Sequence, residues 1–133
     1  MNVINLASHA AMMRGWPAQQ EPNGEIRIEV PTVPGRTQLV TVTMAKDGDG
    51  DPAAFIWSRA GDHNAMRDPL ALLRLNANLT YGRVAVRGND VIVLHAIHDN
   101  SAEITHVGKA IYWVARAADD IEKGTYGAHA DTL

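Results

Sequence analysis

The hydrophobic positions near the start of the chain follow the spacing of a helix. Between residues 2 and 14 the apolar side chains recur at steps of three and four, which places them on one face: Val3, Leu6, Ala10 and Met13. Pro17 ends the pattern, because proline cannot continue a helical hydrogen-bond ladder. A helix this short is marginal alone in water, so we expect it to dock on a larger unit.

From residue 25 the period changes to two, as in a half-buried strand. Ile26, Ile28 and Val30 alternate with charged residues in a first strand. A second strand is predicted over residues 36–46 and a third over residues 53–59. The connections between them are too short for a crossover helix, so we expect all three strands to be antiparallel.

The C-terminal half predicts a second helix and then a hairpin. Asp68 and Pro69 are the residue types of a helix start, and Leu70 and Leu73, with Leu72 as a further candidate, are expected to face the core over about two turns. The hairpin consists of two strands, residues 83–87 and 91–97, joined by Gly-Asn-Asp. The second of these strands is apolar on both faces, which predicts an interior position in the sheet or at an interface.

The last helix has the most regular pattern in the chain. Asn100, with Glu103 three residues later, resembles a capping box. Six apolar residues then follow at steps of three and four until Gly124: Ile104, Val107, Ile111, Val114, Ala118 and Ile121. Residues 125–133 have little apolar surface to bury, so we predict a flexible tail after a single domain of residues 1–124.

The predicted order of elements is α-β-β-β-α-β-β-α with hairpin-length connections. This order gives an α+β fold, an antiparallel sheet of about five strands with helices packed on one face. Charged residues alternate with apolar ones in two of the strands: Arg27, Glu29, Arg83 and Arg87. We therefore expect the other face of the sheet to meet water or a second protein.

Composition and charge narrow the classes of function. The chain has 133 residues, 46% of them apolar, and no cysteine. The absence of cysteine excludes a disulfide framework, cysteine zinc sites, iron–sulfur centres and thiol catalysis. A formal charge of −3 with interspersed signs argues against a nucleic-acid-binding module. The sequence shows neither a secretory signal nor an apolar run of membrane length, so we expect a cytoplasmic protein with no membrane partner.

One acidic turn has part of the spacing of a calcium loop. Asp47, Asp49 and Asp51 alternate as the first ligands of such a loop do. The sixth position is Pro52 where glycine is needed, and the twelfth is Ser58 where a bidentate glutamate is needed. A solvated turn between strands is the favoured interpretation.

Histidine and serine positions give no catalytic pattern. His95 and His98 lie three residues apart on a strand, so they point to opposite faces. Ser58, Asp62 and His63 contain the groups of a hydrolase triad, but the sequence lacks a nucleophile elbow and an oxyanion-hole glycine pattern. The sequence therefore predicts no catalytic residues, no cofactor and no metal ligands.

Trp113 departs from the apolar stripe of the last helix. It lies about half a turn away, on the face that carries His106 and Lys109. A tryptophan on a polar helix face often marks a contact surface, whereas packing under the tail or the first helix is the structural alternative. The candidate partner-contact residues are Trp113, His106 and Trp57.

Several local strings carry a family resemblance. They are RGW from residue 14, PGRTQLV from residue 34, DPLALLRLN from residue 68 and YGR from residue 81. With the closing amphipathic helix, they resemble the YbjN-like bacterial proteins, which share the fold of the class I type III secretion chaperones. The resemblance covers residues 3–123, and its motifs are apolar and turn residues that specify architecture rather than chemistry.

The resemblance implies an α+β domain that binds another protein, often as a homodimer, with no catalytic residues to carry over. YbjN-like proteins are also described as sensory regulators, which implies a regulatory role. Secretion chaperones are commonly strongly acidic, and this chain, at −3, is not.

We therefore expect a cytoplasmic, non-enzymatic, chaperone-like protein that binds a protein partner or itself. The alternative is a small-molecule sensor or an enzyme with a pocket between sheet and helices, in which His95, His98 or Ser58 supplies polar groups. A purely structural subunit is a third interpretation, which the sequence does not separate from the first.

Overall fold

The computed structural model describes residues 2–65 and 68–124. Its helices are α1 (Val3–Arg14), α2 (Pro69–Leu75) and α3 (Ile104–Glu122). Its strands are β1 (Ala18–Gln20), β2 (Ile26–Pro31), β3 (Thr37–Lys46), β4 (Pro52–Asp62), β5 (Arg83–Arg87) and β6 (Asp90–His98). The predicted flexible tail, residues 125–133, lies outside the described residues.

The six strands form one antiparallel sheet in the order β1-β2-β3-β4-β6-β5. The buried side chains of the helices and of alternate strand positions form one core cluster on the same side of the sheet. The predicted α+β class is therefore confirmed. None of the described helices is both long enough and apolar enough to cross a lipid bilayer.

The sixth strand, β1, was not predicted from the sequence. It pairs with β2 in the register Ala18↔Ile28, and all three of its residues are exposed. Because it buries no side chain, its sequence shows no apolar alternation. Main-chain hydrogen bonds to β2 hold β1 in place at this edge of the sheet.

The helices differ from the sequence-based expectation in three details, of which the first is that Met13, expected on the apolar face of α1, is 75% exposed. Asn100 is not the cap of α3, because Asp99–Ser101 forms a separate 3-10 turn and the carboxylate of Glu103 accepts the Thr105 amide at 2.7 Å. In α2 the buried residues are Leu72 and Leu75. The leucines expected in the core, Leu70 and Leu73, are instead 58% and 59% exposed.

Strand β6 is buried on both faces, as its sequence predicts. Val91 and Val93 belong to the core beneath the helices, whereas Ile92 and Leu94 are buried without joining that cluster. Their side chains therefore lie on the opposite, outer face of the sheet. Trp57, which pairs with Leu94, lies on that outer face too.

Candidate functional site

An apolar groove lies between α2 and the edge strand β5. We call it the β5 groove. Its volume is about 270 Å³. Its lining consists of eight residues: His63, Pro69, Leu72, Leu73, Val84, Ala85, Val86 and Val91. Seven of the eight are apolar, which is typical of a surface that binds an apolar group.

Helix α2 supplies one wall of the β5 groove. The carboxylate of Asp68 accepts the Ala71 amide at 3.2 Å and caps the helix, and Pro69 fits the first turn without a lost hydrogen bond. Leu72 and Leu75 anchor the helix to the core. Because these two leucines face the core, Leu73 lies at the groove and is exposed to solvent.

Strand β5 supplies the other wall and ends the sheet. A two-residue turn joins β5 to β6, and such a turn is closed by a hydrogen-bonded pair, here Arg87↔Asp90. Alternation along the ladder then directs the N–H and C=O groups of Val84 and Val86 away from β6. These two residues carry the outward-facing main-chain groups of the edge.

Asn76 covers one of these two residues. Its Oδ1 accepts the Val84 amide at 2.6 Å and its Nδ2 donates to the Val84 carbonyl at 3.4 Å. The side-chain amide thus occupies the positions that a neighbouring strand would use. The main-chain groups of Val86 have no such partner among the described residues, and its side chain is 65% exposed.

Two arginines flank this edge. Arg83 and Arg87 are exposed and, within the described part of the chain, form no ion pair. The guanidinium of Arg87 lies 4.8 Å from the centre of the Trp57 ring, a cation–π contact across the outer face. The β5 edge is therefore apolar in its middle and positively charged at both ends.

Of the three partner-contact residues expected from the sequence, Trp113 and His106 lie on one face of α3, seven residues apart, whereas Trp57 lies on the outer face of the sheet. Trp113 is 41% exposed on α3, and its ring packs edge-on against Tyr112 with 5.0 Å between ring centres. Trp57 lies on the outer sheet face under Arg87, and its indole nitrogen, shielded from solvent, has no hydrogen-bond partner in the described residues. His106 belongs to a cluster of rings at the start of α3.

That cluster joins β6, α3 and the segment before β5. The Tyr81 ring packs against both His95 and His106. The Gly82 amide donates to Nδ1 of His95 at 3.1 Å, and the Nε2 atoms of the two histidines are 3.3 Å apart. Burial, with a smaller effect of His106 and Arg83, lowers the pKa of His95.

The separation of the two Nε2 atoms alone would suit a tetrahedral metal, which holds two imidazole nitrogens about 3.3 Å apart. The hydrogen bond from Gly82 opposes this use. A metal-ligating histidine normally donates its other ring N–H, whereas Nδ1 of His95 accepts. No third histidine or carboxylate of the described residues joins the pair. The arrangement is that of a neutral hydrogen-bonded pair.

The acidic turn is held by its own hydrogen bonds. The described residues include one group of three or more possible metal ligands, Asp47, Asp49 and Asp51, whose ligand atoms lie within 4.8 Å of one another. Oδ1 of Asp47 accepts the amides of Asp49 and Asp51 at 2.9 Å, and Oδ2 lies 2.8 Å from Nε2 of His98. The Asp51 amide and His98 lower the pKa of Asp47. Oδ1 of Asp47 therefore closes the turn, and Oδ2 joins the turn to β6.

The residues of the hydrolase-triad pattern do not converge. The Ser58 hydroxyl donates to the Leu39 carbonyl at 2.7 Å and accepts from Gln38, so it links β4 to β3. Nδ1 of His63 contacts the Asn89 carbonyl at the β5–β6 turn and lies 3.8 Å from Oδ1 of Asp62, so Asp62 and His63 approach each other without Ser58. Sequence reasoning missed the β5 groove, for which the available signal was the Leu-Ala-Leu-Leu run of α2 before a Val-Ala-Val strand.

Neither a protein-family model nor a curated protein matches this chain.

Proposed function

We propose that this chain is a non-enzymatic, chaperone-like module that binds an extended segment of a partner protein along β5. The observation that carries the proposal is the β5 groove beside the uncovered main-chain groups of Val86. A strand added at this edge gains main-chain hydrogen bonds at Val86, and the side chain opposite Val86 points toward the groove. Backbone bonds supply affinity, and the apolar lining selects the side chain.

The exposed apolar side chains around the groove support this binding mode. Leu70, Leu73 and Val86 are each more than half exposed and belong to the two elements that form its walls. Full burial of an aliphatic side chain of this size contributes about 1.5–3 kcal/mol, so a partner that covers even part of the three gains substantially. An exposed apolar patch beside an open strand edge favours association over catalysis.

Self-association is the second part of the proposal, and we assign it to Trp113. Its contact with Tyr112 holds the ring on the surface of α3, so little side-chain freedom remains to be lost on binding. A cytoplasmic location, as expected from the sequence, and a regulatory use of partner binding complete the proposal, and the regulatory use rests on the resemblance to the YbjN-like proteins.

Light scattering coupled to size-exclusion chromatography tests self-association. We expect the wild type to elute with the mass of a dimer and Trp113→Ala to shift toward the monomer. Met12→Ala is the matched control, because Met12 is 70% exposed and apolar but lies on α1. A wild type that remains monomeric throughout the micromolar range, or an equal shift in both variants, contradicts the assignment to Trp113.

Binding to a permanently unfolded protein tests partner capture. The probe is a fluorescently labelled, reduced and carboxymethylated polypeptide, and the readout is anisotropy. We expect the wild type and Met12→Lys to bind and Leu73→Lys to lose binding, because a lysine at position 73 places a charge in the β5 groove. Failure of the wild type to bind, or an equal loss in both variants, contradicts the proposal.

The alternative, a small-molecule sensor or enzyme, has one observation in its favour. The β5 groove, at about 270 Å³, is close to the lower limit of ligand pockets, about 300 Å³, and His63 supplies a polar group. The polar residues expected for this role, His95, His98 and Ser58, do not line it. Binding of a small apolar dye that Leu73→Lys abolishes, without binding of the unfolded probe, would favour this alternative.

A further inference from the structure

We propose that the β5 edge takes an extended segment in which two apolar residues, one residue apart, are flanked by an acidic residue on each side. The inference rests on the proposed strand addition at β5 and specifies the sequence of the partner. In the order of the partner chain the pattern is acidic, apolar, any residue, apolar, acidic.

The register of the edge determines where the apolar residues fall. The partner residue opposite Val86 is hydrogen-bonded to it, and its side chain lies on the same face, toward the β5 groove. The residue opposite Val84 lies two positions further along the partner and faces the same side. Both therefore meet the aliphatic lining of α2 and β5.

Charge determines the two ends of the pattern. Arg83 and Arg87 lie on the opposite face of β5 from Val84 and Val86, and the residues that oppose them are the first and fifth of the partner segment. The nearest carboxylate on β6, that of Asp90, is 2.8 Å from Arg59 and is already paired. Acidic partner residues would therefore pair with two guanidinium groups that have no ion-pair partner in the described chain.

The same charges disfavour a second copy of this chain as the occupant. If two β5 strands pair antiparallel about Ala85, Arg83 of each lies opposite Arg87 of the other. Like charges directly opposite one another destabilise a strand pair, and here the arrangement would occur twice. The edge is thus protected against its own copy and open to an acidic segment.

Peptide binding tests the inference. The probe contains Glu-Val-Thr-Val-Glu between Gly-Ser linkers and a fluorophore, and the matched peptides carry Gln-Val-Thr-Val-Gln or Lys-Val-Thr-Val-Lys. We expect the acidic peptide to bind about fivefold more tightly than the neutral one, since exposed ion pairs contribute modestly, and the basic peptide to bind least. The preference should shrink as salt is raised.

Protein variants separate the charge effect from strand addition. The Arg83→Gln/Arg87→Gln variant should bind acidic and neutral peptides equally, whereas Arg27→Gln, an exposed arginine on β2, should keep the preference. Val86→Pro should reduce binding of every peptide, because it removes an outward N–H that β6 does not use, whereas Val86→Thr should not.

Each result decides one of the two proposals. Equal binding of acidic and neutral peptides, still sensitive to Val86→Pro, overturns the acidic pattern and leaves strand addition supported. Binding that is insensitive to Val86→Pro overturns strand addition. No binding of any peptide overturns both.

Discussion

The Gly82 amide determines which nitrogen of His95 carries the proton in the contact between His95 and His106. An amide N–H only donates, so Nδ1 of His95 accepts and the proton of the neutral ring lies on Nε2. That Nε2–H then donates to Nε2 of His106, 3.3 Å away, and His106 must hold its own proton on Nδ1. Protonation of His95 would set an N–H against the Gly82 amide.

The first prediction concerns pH. Burial, with His106 and Arg83, lowers the pKa of His95, so the folded state binds this proton more weakly than the unfolded state. The stabilisation that neutral His95 provides is therefore complete above the pKa of histidine in the unfolded chain, about 6.5. It is lost as the pH falls below that value. Between about pH 6.5 and 5.5 the loss stays below ~1.4 kcal/mol, because the folded and unfolded states differ by at most one bound proton over one pH unit.

Urea unfolding at about pH 7.5 and 5.5 measures this effect. His95→Asn is the informative variant, because its Oδ1 still accepts the Gly82 amide but the side chain does not titrate. We expect the wild type to lose more stability at the lower pH than His95→Asn does. The other charged groups around the pair, Glu103 and Arg83, remain in both proteins. Equal losses would contradict the role of His95.

The second prediction concerns a buried carboxylate. Asp119 of α3 is fully buried, and it accepts hydrogen bonds from Thr32 at 2.9 Å and from Arg36 at 2.9 Å. Burial alone would raise the pKa of Asp119, but the hydrogen bonds from Arg36 and Thr32 outweigh it and the pKa is lowered. The stabilisation that the ionised Asp119 carboxylate provides is complete above the pKa of aspartate in the unfolded chain, about 3.9. It is lost as the pH falls through the lower pKa of Asp119 in the folded protein.

Asp119→Ala should therefore lower the free energy of unfolding by about 2–3 kcal/mol at neutral pH, because it removes the acceptor of the Thr32 hydroxyl and leaves Arg36 with only the longer, 3.6 Å contact to Glu122. The control is Asp90→Ala, whose ion pair with Arg59 has a 2.8 Å contact, the same N–O distance as the Arg36–Asp119 pair, but is solvent-exposed. Its loss should be below about 1 kcal/mol. Similar losses in urea unfolding would show that burial of Asp119 does not strengthen its pairing.

The sequence was sufficient to predict an element where one face of that element is buried over several turns of helix or several residues of strand. The two-sided apolar run of β6 is confirmed, and five of the six residues of the α3 stripe are buried, Ile104 at its start being only partly buried. It was insufficient for β1, whose Ala18–Gln20 segment is held by main-chain bonds and buries no side chain. The start of α3 was misplaced because Asn100 and Glu103 are both capping residue types, and the 3-10 turn between them decides which one caps.

The candidate site was harder to predict than the fold. Leucines occupy four of the seven positions of α2, so two turns of periodicity fit several rotations of the helix equally well. The observed rotation buries Leu72 and Leu75 and exposes Leu73, which creates the β5 groove. The contact of Asn76 with Val84 depends on the same placement, and no motif in the sequence marks it.

The third prediction concerns Gly82, which has a φ of 90° and is packed against β6 and α3. A Cβ at this position would lie 3.0 Å from Cγ1 of Val93 and 3.4 Å from Cγ2 of Val114. Gly82→Ala should cost about 2–4 kcal/mol through backbone strain and crowding together. Gly88 also has a positive φ, but a Cβ at this position would have no atom within 4 Å. Gly88→Ala should therefore cost only about 1 kcal/mol. Equal midpoints in urea would exclude crowding as a factor.

The fourth prediction concerns Asn76 as a competitor for the β5 edge. Its side chain satisfies the N–H and C=O of Val84, and an incoming strand that pairs with Val84 must displace it. Asn76→Ala removes this competition, so the acidic peptide described above should bind several-fold more tightly. The cost to the free protein should be about 1–3 kcal/mol, because both hydrogen bonds to Val84 are partly buried.

Asn76→Asp sharpens the test, because an aspartate accepts the Val84 amide but cannot donate to its carbonyl. We expect its affinity for the neutral Gln-Val-Thr-Val-Gln peptide, which the added carboxylate does not repel, to lie between those of the wild type and Asn76→Ala. The order of the three affinities, measured by anisotropy, reports competition at Val84 directly. If Asn76→Ala instead weakens binding in proportion to its loss of stability, Asn76 supports the β5 groove and does not guard the strand edge.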